Sequence, residues 1–159
     1  MPIYMKFPGA DGNVSAQGFD KWIELTSVGF GMDRPMDSQV GNKSYGATAK
    51  LKIHDITATK VTDGSSPQLT IAALQGAFDK TVTIAFATTT TSGMENFMSY
   101  ELQNCGVSSM QTHGGQEGKP METYTLRFSQ IQFTFSNMAQ DGTTTPTITG
   151  YNLETAQSL

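Results

Sequence analysis

Three long runs of this chain alternate apolar and polar residues as a β-strand does, and each changes phase halfway. In WIELTSVGFGM, Ile23 and Leu25 take odd positions, whereas Val28, Phe30 and Met32 take even ones. In ATAKLKIHDITATK, Ala47, Ala49, Leu51 and Ile53 are odd, Ile56 and Ala58 are even, and the switch falls at His54 and Asp55. In ETYTLRFSQIQFTF, Tyr124, Leu126 and Phe128 hand over to Ile131, Phe133 and Phe135. Successive strand side chains point to opposite faces, so a phase change marks a bulge or a sharp bend. A flat sheet has no use for three such strands, but a strand that turns a corner and serves two sheets does. The expected fold is therefore mainly β: a small barrel of two packed antiparallel sheets with bent shared strands and one short α-helix on the outside.

Other segments fill in that frame. Ile3, Met5 and Phe7 share one phase, as do Val82, Ile84 and Phe86 in TVTIAFATTT. MENFMSYELQNCGVSSMQT and PTITGYNL complete seven or eight strands. The one helix is expected in DGSSPQLTIAALQGAFD, with Ser66 as N-cap, Pro67 at the first helical position and Gly76 as left-handed C-cap. Leu69, Ala72 and Ala73 give it a narrow apolar stripe, so it should lie against the barrel. HGGQEGKP reads as an exposed hairpin tip and AQDGTTTP as a smaller turn. From Asp33 to Ala47 runs a loop of about fifteen residues, a length usually kept for function or interaction. Its candidate contact residues are Arg34, Pro35, Met36, Asp37, Val40, Lys43 and Tyr45.

Length and charge bound the function. The 159 residues fit a single domain spanning residues 1–159. Only 15% of residues are charged, against about 25% in an average domain, and neutral polar residues replace them. The net charge is −4, and the ten basic residues are scattered from Lys6 to Arg127, which argues against nucleic acid as a partner. No apolar stretch approaches 18 residues and MPIYMKF lacks a signal-peptide pattern, so neither membrane insertion nor a cleaved leader is expected. The lone Cys105 rules out an intramolecular disulfide and reads as a buried thiol.

A search for chemistry returns little. His54 and Asp55 are neighbours at a strand bend and point to opposite faces, and His113 sits at a hairpin base where it would cap a turn. There is no G-x-S-x-G elbow, and Gly114, Gly115 and Gly118 lead to a proline and a strand, not to a helix N-terminus. Zinc and EF-hand spacings are missing, and Asp11-Gly12 and Asp141-Gly142 read as turns. The chain is expected to be no enzyme and to need no cofactor and no metal. Its nine methionines admit two readings, core gap-filling or adaptable contacts between subunits, and both stay open.

The stretch IHDITATKVTDGSSPQLTIAALQG resembles the central signature of the haemolysin-coregulated proteins (Hcp), through Lys60, Asp63, Ser66, Pro67, Leu69 and Gly76. FDKWIELTSVGFGMDRP looks like that family's second strand. Val107, Ser108, Ser109, Glu122, Leu126, Phe128 and Ile131 match its later hairpin. Two features depart from the pattern: Phe133, Phe135 and Tyr151 stand where the family often has tryptophan, and DSQVGNKSYGA matches nothing in its variable loop. The resemblance implies a homohexameric ring, stacked into the inner tube of the type VI secretion system. Sheath, spike and effector proteins would be its partners, and some members carry effectors in the lumen. It also implies a cytoplasmic protein that is expelled by that route, and no toxin domain is expected beyond Leu159. In such a ring, whose channel should be lined by neutral strand faces, the positions opposite the apolar phase, Ser27, Gly29 and Gly31 in one strand and Lys50 and Lys52 in another, are candidates to face the lumen. The long loop is expected to reach a neighbour or the next ring. A phage-like tail-tube protein is the alternative, and a monomeric β-sandwich ligand-binding module the second alternative.

Overall fold

A computed structural model describes residues 1–35, 51–91, 93–138 and 144–159. The elements run β1 (Ile3–Lys6), β2 (Ile23–Leu25), β3 (Ser27–Gly29), β4 (Met32–Asp33), β5 (Lys52–Ile53), β6 (Ile56–Val61) and α1 (Ser66–Gln75). They continue with β7 (Lys80–Thr90), β8 (Gly93–His113), β9 (Met121–Arg127), β10 (Gln130–Met138), β11 (Thr144–Asn152) and β12 (Gln157–Ser158). The strand count exceeds the seven or eight expected because each phase switch cuts its run in two, the first run is cut again before β4, and β12 follows the last expected strand. Thr26 separates β2 from β3, His54 and Asp55 separate β5 from β6, and Phe128 and Ser129 separate β9 from β10.

The strands form two packed antiparallel layers, mainly β as expected, joined through bent strands. One layer has the order β12-β11-β10-β8-β7-β1-β2, and the other runs β3-β6-β9-β8. The 21-residue β8 belongs to both. Up to Cys105 it pairs with β7 and β10, and from Gly106 onward with β9. Its corner was not foreseen. Among the described residues, hydrogen bonding does not close the layers into a continuous barrel: β3 pairs with β6 and β2 with β1, each as an edge. A separate ribbon of β4 and β5 flanks them.

The core lies between the layers, where alternation turns Ile56 and Ala58 of β6, Val82 and Ile84 of β7, and Tyr124 and Leu126 of β9 inward, all fully buried. Each large aliphatic side chain buried there contributes about 1.5–3 kcal/mol. Helix α1 supplies one, Leu69, with Ala72 and Ala73 packed beside it, so it is an outside element. A smaller cluster of Tyr4, Phe19, Ala85 and Ala87 holds residues 10–22 against the far face of β1 and β7, with Trp22 edge-on to Phe19.

The helix start differs from expectation by one residue. Ser65 is the N-cap, Ser66 is the first helical residue, and Pro67 follows it. The reason is Asp63, whose carboxylate accepts the Ser65 N–H and hydroxyl and so caps the turn in place of a serine. At the other end Gly76 has φ 67°, and its N–H reaches the Ala72 carbonyl at 3.1 Å. No helix among the described residues is long and apolar enough to cross a membrane.

Candidate assembly surfaces

The outward face of the β3-β6-β9-β8 layer is set by strand register. One row pairs Ser27 with Thr59, Thr59 with Thr123, and Thr123 with Gln111. The next pairs Gly29 with Thr57, Thr57 with Thr125, and Thr125 with Ser109. Neither row holds a carboxylate, a lysine or an arginine. Lys60 and Glu122 have the opposite parity and point into the core, whereas Arg127, the last residue of β9, shares the outward parity and is exposed at the end of the face. At one end the face is bordered by Asp55, which meets Arg127 at 3.5 Å and accepts the Ser108 hydroxyl at 3.1 Å. Threonine suits this position: its branched carbon fits the pleat, and its hydroxyl needs no ionic partner.

Of the residues named as lumen candidates, the structure brings Ser27 and Gly29 together on this face, both exposed. Gly29 has open space where a Cβ would stand. Gly31 lies past the end of β3 beside the His54 ring, and Lys52 belongs to the separate ribbon. Arg34 and Pro35 are exposed, whereas Met36, Asp37, Val40, Lys43, Tyr45 and Lys50 lie outside the described residues.

Behind the face sits a buried ion cluster built from the signature residues. The Lys60 ammonium is fully buried, 2.9 Å from an Asp63 oxygen, 2.9 Å from a Glu122 oxygen and 2.9 Å from the Ser66 hydroxyl oxygen. Ser66 and Tyr124 both donate to Glu122 at 2.8 Å, and Thr62 donates to its other oxygen at 3.2 Å. Burial alone would raise the Asp63 and Glu122 carboxyls, but donors outweigh it. Ser65 and Lys60 hold Asp63 below the ordinary range, and Lys60, Tyr124 and Ser66 do the same for Glu122. Burial, then the Glu122 carboxylate, pushes the Tyr124 phenol up. Among the described residues no buried side-chain polar atom lacks a partner. The cluster ties the end of β6, the start of α1 and the middle of β9 into one unit, with Ser66 as its hub and not as the helix cap.

Among the described residues, the histidines, Asp55 and Cys105 do not converge on one point. His54 meets Asp33 at 2.7 Å across the β4–β5 ribbon, while Asp55 turns to Ser108 and Arg127, so the neighbours share no target. His113 is the last residue of β8, paired with Met121, and not a turn cap. Cys105 is buried, which pushes its thiol up to about 12. No group of metal-ligating side chains occurs among the described residues.

Sequence reasoning missed one surface. An apolar groove of about 470 Å³ opens between the β3–β5 side and the inner face of β10 and β11, lined by Phe30, Met32, Ile53, Tyr100, Phe133 and Tyr151 among others. The Tyr100 ring meets Phe30 at 5.5 Å and Phe133 at 5.3 Å, tilted against both. The phases of β8 and β10 were the available signal, because their apolar residues continue past the strands that cover them.

Comparison with known proteins agrees with this architecture. A family model described as "Type VI secretion system effector, Hcp" matches residues 4–135. A solved type six secretion system protein superposes with a TM-score of 0.89 at 24% identity, covering 99% of each chain. Hcp1 from Salmonella typhimurium gives 0.74 at 16% identity, over 99% of this chain and 98% of its own. Hcp1 from the E. coli EAEC 042 pathovar, a double-tryptophan mutant, gives 0.72 at 21% identity, over 92% and 97%. Likeness at these identities establishes the fold. No curated protein sequence matches the chain.

Proposed function

The chain belongs to the type VI secretion Hcp family, and from that premise we propose that it is a structural, non-catalytic ring subunit. Six copies close by rotation, and rings stack into the tube that the secretion machine expels. The protein would thus wait in the cytoplasm beside sheath and spike and leave by the type VI route, with effectors held in the lumen. The observation that carries this reading is the pair of uncharged, hydroxyl-rich rows across the outward face of the β3-β6-β9-β8 layer, with its one arginine, Arg127, at the end and paired with Asp55. A channel wall that holds cargo and then releases it gains from a neutral, hydroxyl-rich lining. Such a surface pays little desolvation on contact and offers no strong ionic trap.

Two measurements test it. Native mass spectrometry should find a particle of six 17.1 kDa chains, and a chain that stays monomeric at every concentration overturns the ring. Ser27→Gln and Gly29→Arg should leave the ring intact and abolish retention of a co-expressed effector. Nothing stands within 4 Å of the missing Gly29 Cβ, so a side chain can leave the backbone there without a clash at its first carbon. Unchanged cargo binding would remove these positions from the lumen. The loop from Arg34 to Tyr45 would extend the contact to a neighbour or the next ring, and deleting Asp37 to Lys43 should then leave a folded monomer.

A further inference from the structure

Helix α1 carries apolar residues on two faces. Leu69, Ala72 and Ala73 face the core, while Ile71 and Leu74 point outward, 41% and 81% exposed, and Phe78 follows the C-cap at 41%. No charged residue interrupts Ser66–Gln75. Exposed apolar side chains set one helical turn apart and continued by Phe78 favour a covered setting, and among the described residues nothing covers this ridge.

Ridge and groove lie on opposite edges of one layer. Thr70 of α1 donates to the Met110 sulfur of β8 at 3.6 Å, and Phe78 packs over Gly106, so the ridge flanks the β8 edge. Phe30 and Met32 of the groove follow β3, the other edge. Between them lie β6 and β9, so the two edges are three strand spacings, or about 14 Å, apart. The groove side chains named above carry no charge either, and its size is that of a pocket that buries a small ligand, enough for side chains from one helical turn.

A ring requires two different, complementary surfaces on each subunit. We propose that the Ile71–Leu74–Phe78 ridge of one copy seats in the Phe30–Met32–Phe133–Tyr151 groove of the next. The proposal rests on the ring reading above and says which surfaces make its contact. One convex and one concave apolar surface, matched in lacking charge and set at opposite edges, make head-to-tail contact possible while every copy turns its neutral layer the same way. Contact between the same surfaces on two copies would bring convex to convex.

Leu74→Glu tests this with little risk to the fold, since the side chain already faces solvent. The variant should melt like the parent by circular dichroism, yet its mass should fall from the ring to 17.1 kDa. Leu74→Met should keep the ring. In a second arm, Leu74→Cys and Met32→Cys chains are mixed and treated with a short bismaleimide. A covalent dimer should form in the mixture and in neither variant alone, with Cys105 buried and inert. Rings that persist in Leu74→Glu, or rings without the mixed cross-link, overturn this contact and leave the ring standing. A parent chain that is only ever a monomer overturns the ring itself and this contact with it.

Discussion

Lys60 has no accessible surface, yet its ammonium is held by two carboxylates, a hydroxyl and the Val61 carbonyl. A buried charge with partners removed costs about 3–5 kcal/mol, because what remains cannot be solvated. Lys60→Met should therefore lower unfolding stability by roughly that amount, read by urea titration, since it strands Asp63 and Glu122 together. The same cluster sets the pH response. Both carboxyls are depressed in the fold, so their contribution is complete above about pH 4, the unfolded range, and is lost as pH falls through the lower folded values. Tyr124 has the opposite sign: its raised phenol makes the fold lose stability once pH exceeds about 10. Urea midpoints should therefore be flat near neutrality and drop on both sides, with the acid drop missing in Lys60→Met. The motif residues were legible in the sequence, but their burial was not. Lys60 follows Ile56 and Ala58 in inward parity, where a lysine reads as the end of a buried run. Its partner Glu122 is distant in sequence and comes alongside only through β6–β9 pairing.

Corners decide the elements. The three phase switches read from the sequence became real breaks at Thr26, at His54-Asp55 and at Phe128-Ser129, because each left only one way to keep apolar side chains inside. The fourth corner, in β8, was hidden because it switches twice. Leu102 is inward on an even position, Cys105 and Val107 on odd ones, and an irregularity between Val107 and Ser109 returns Met110 to even. The end phases agree, so the run looks straight. Asn104 makes the turn with φ 51°, and its amide donates to the Ser129 hydroxyl at 2.8 Å, while the Ser129 N–H reaches the Gln103 carbonyl at 3.0 Å. Two corners thus brace each other. Asn104→Ala should cost about 2 kcal/mol, from a left-handed alanine and a lost hydrogen bond. Asn104→Gly should cost about half that, since glycine takes the angle freely. Equal losses in denaturant would show that the backbone angle at this corner carries no penalty.

At the scale of the molecule, charge is kept away from the surfaces that copies would share. The outward layer rows, α1 and the groove side chains named above all lack it, while the ion pairs sit inside at Lys60 or at the borders, at Asp55–Arg127, at His54–Asp33 beside the groove and at Asp79–Lys80 just past Phe78. This pattern was only half legible in composition. A charged fraction of 15% says that charge is scarce, but not where it is missing. The alternation rule predicts faces of strands, not which face two copies bring together, so the ring itself came from the family resemblance. The distribution has a consequence for assembly. A contact of apolar ridge and groove draws its strength from water released, not from paired charges, and salt acts on the two oppositely. Raising ionic strength from ~0.1 M to ~1 M shortens the screening length from ~10 Å to ~3 Å and would loosen a ring held by surface ion pairs. Here the ring should be as populated in concentrated sodium chloride as in dilute buffer, more populated in sodium sulfate, and weaker on cooling. Sedimentation velocity across that series reads all three. A ring that dissociates as chloride rises would move the contact from the α1 ridge to the charged rims.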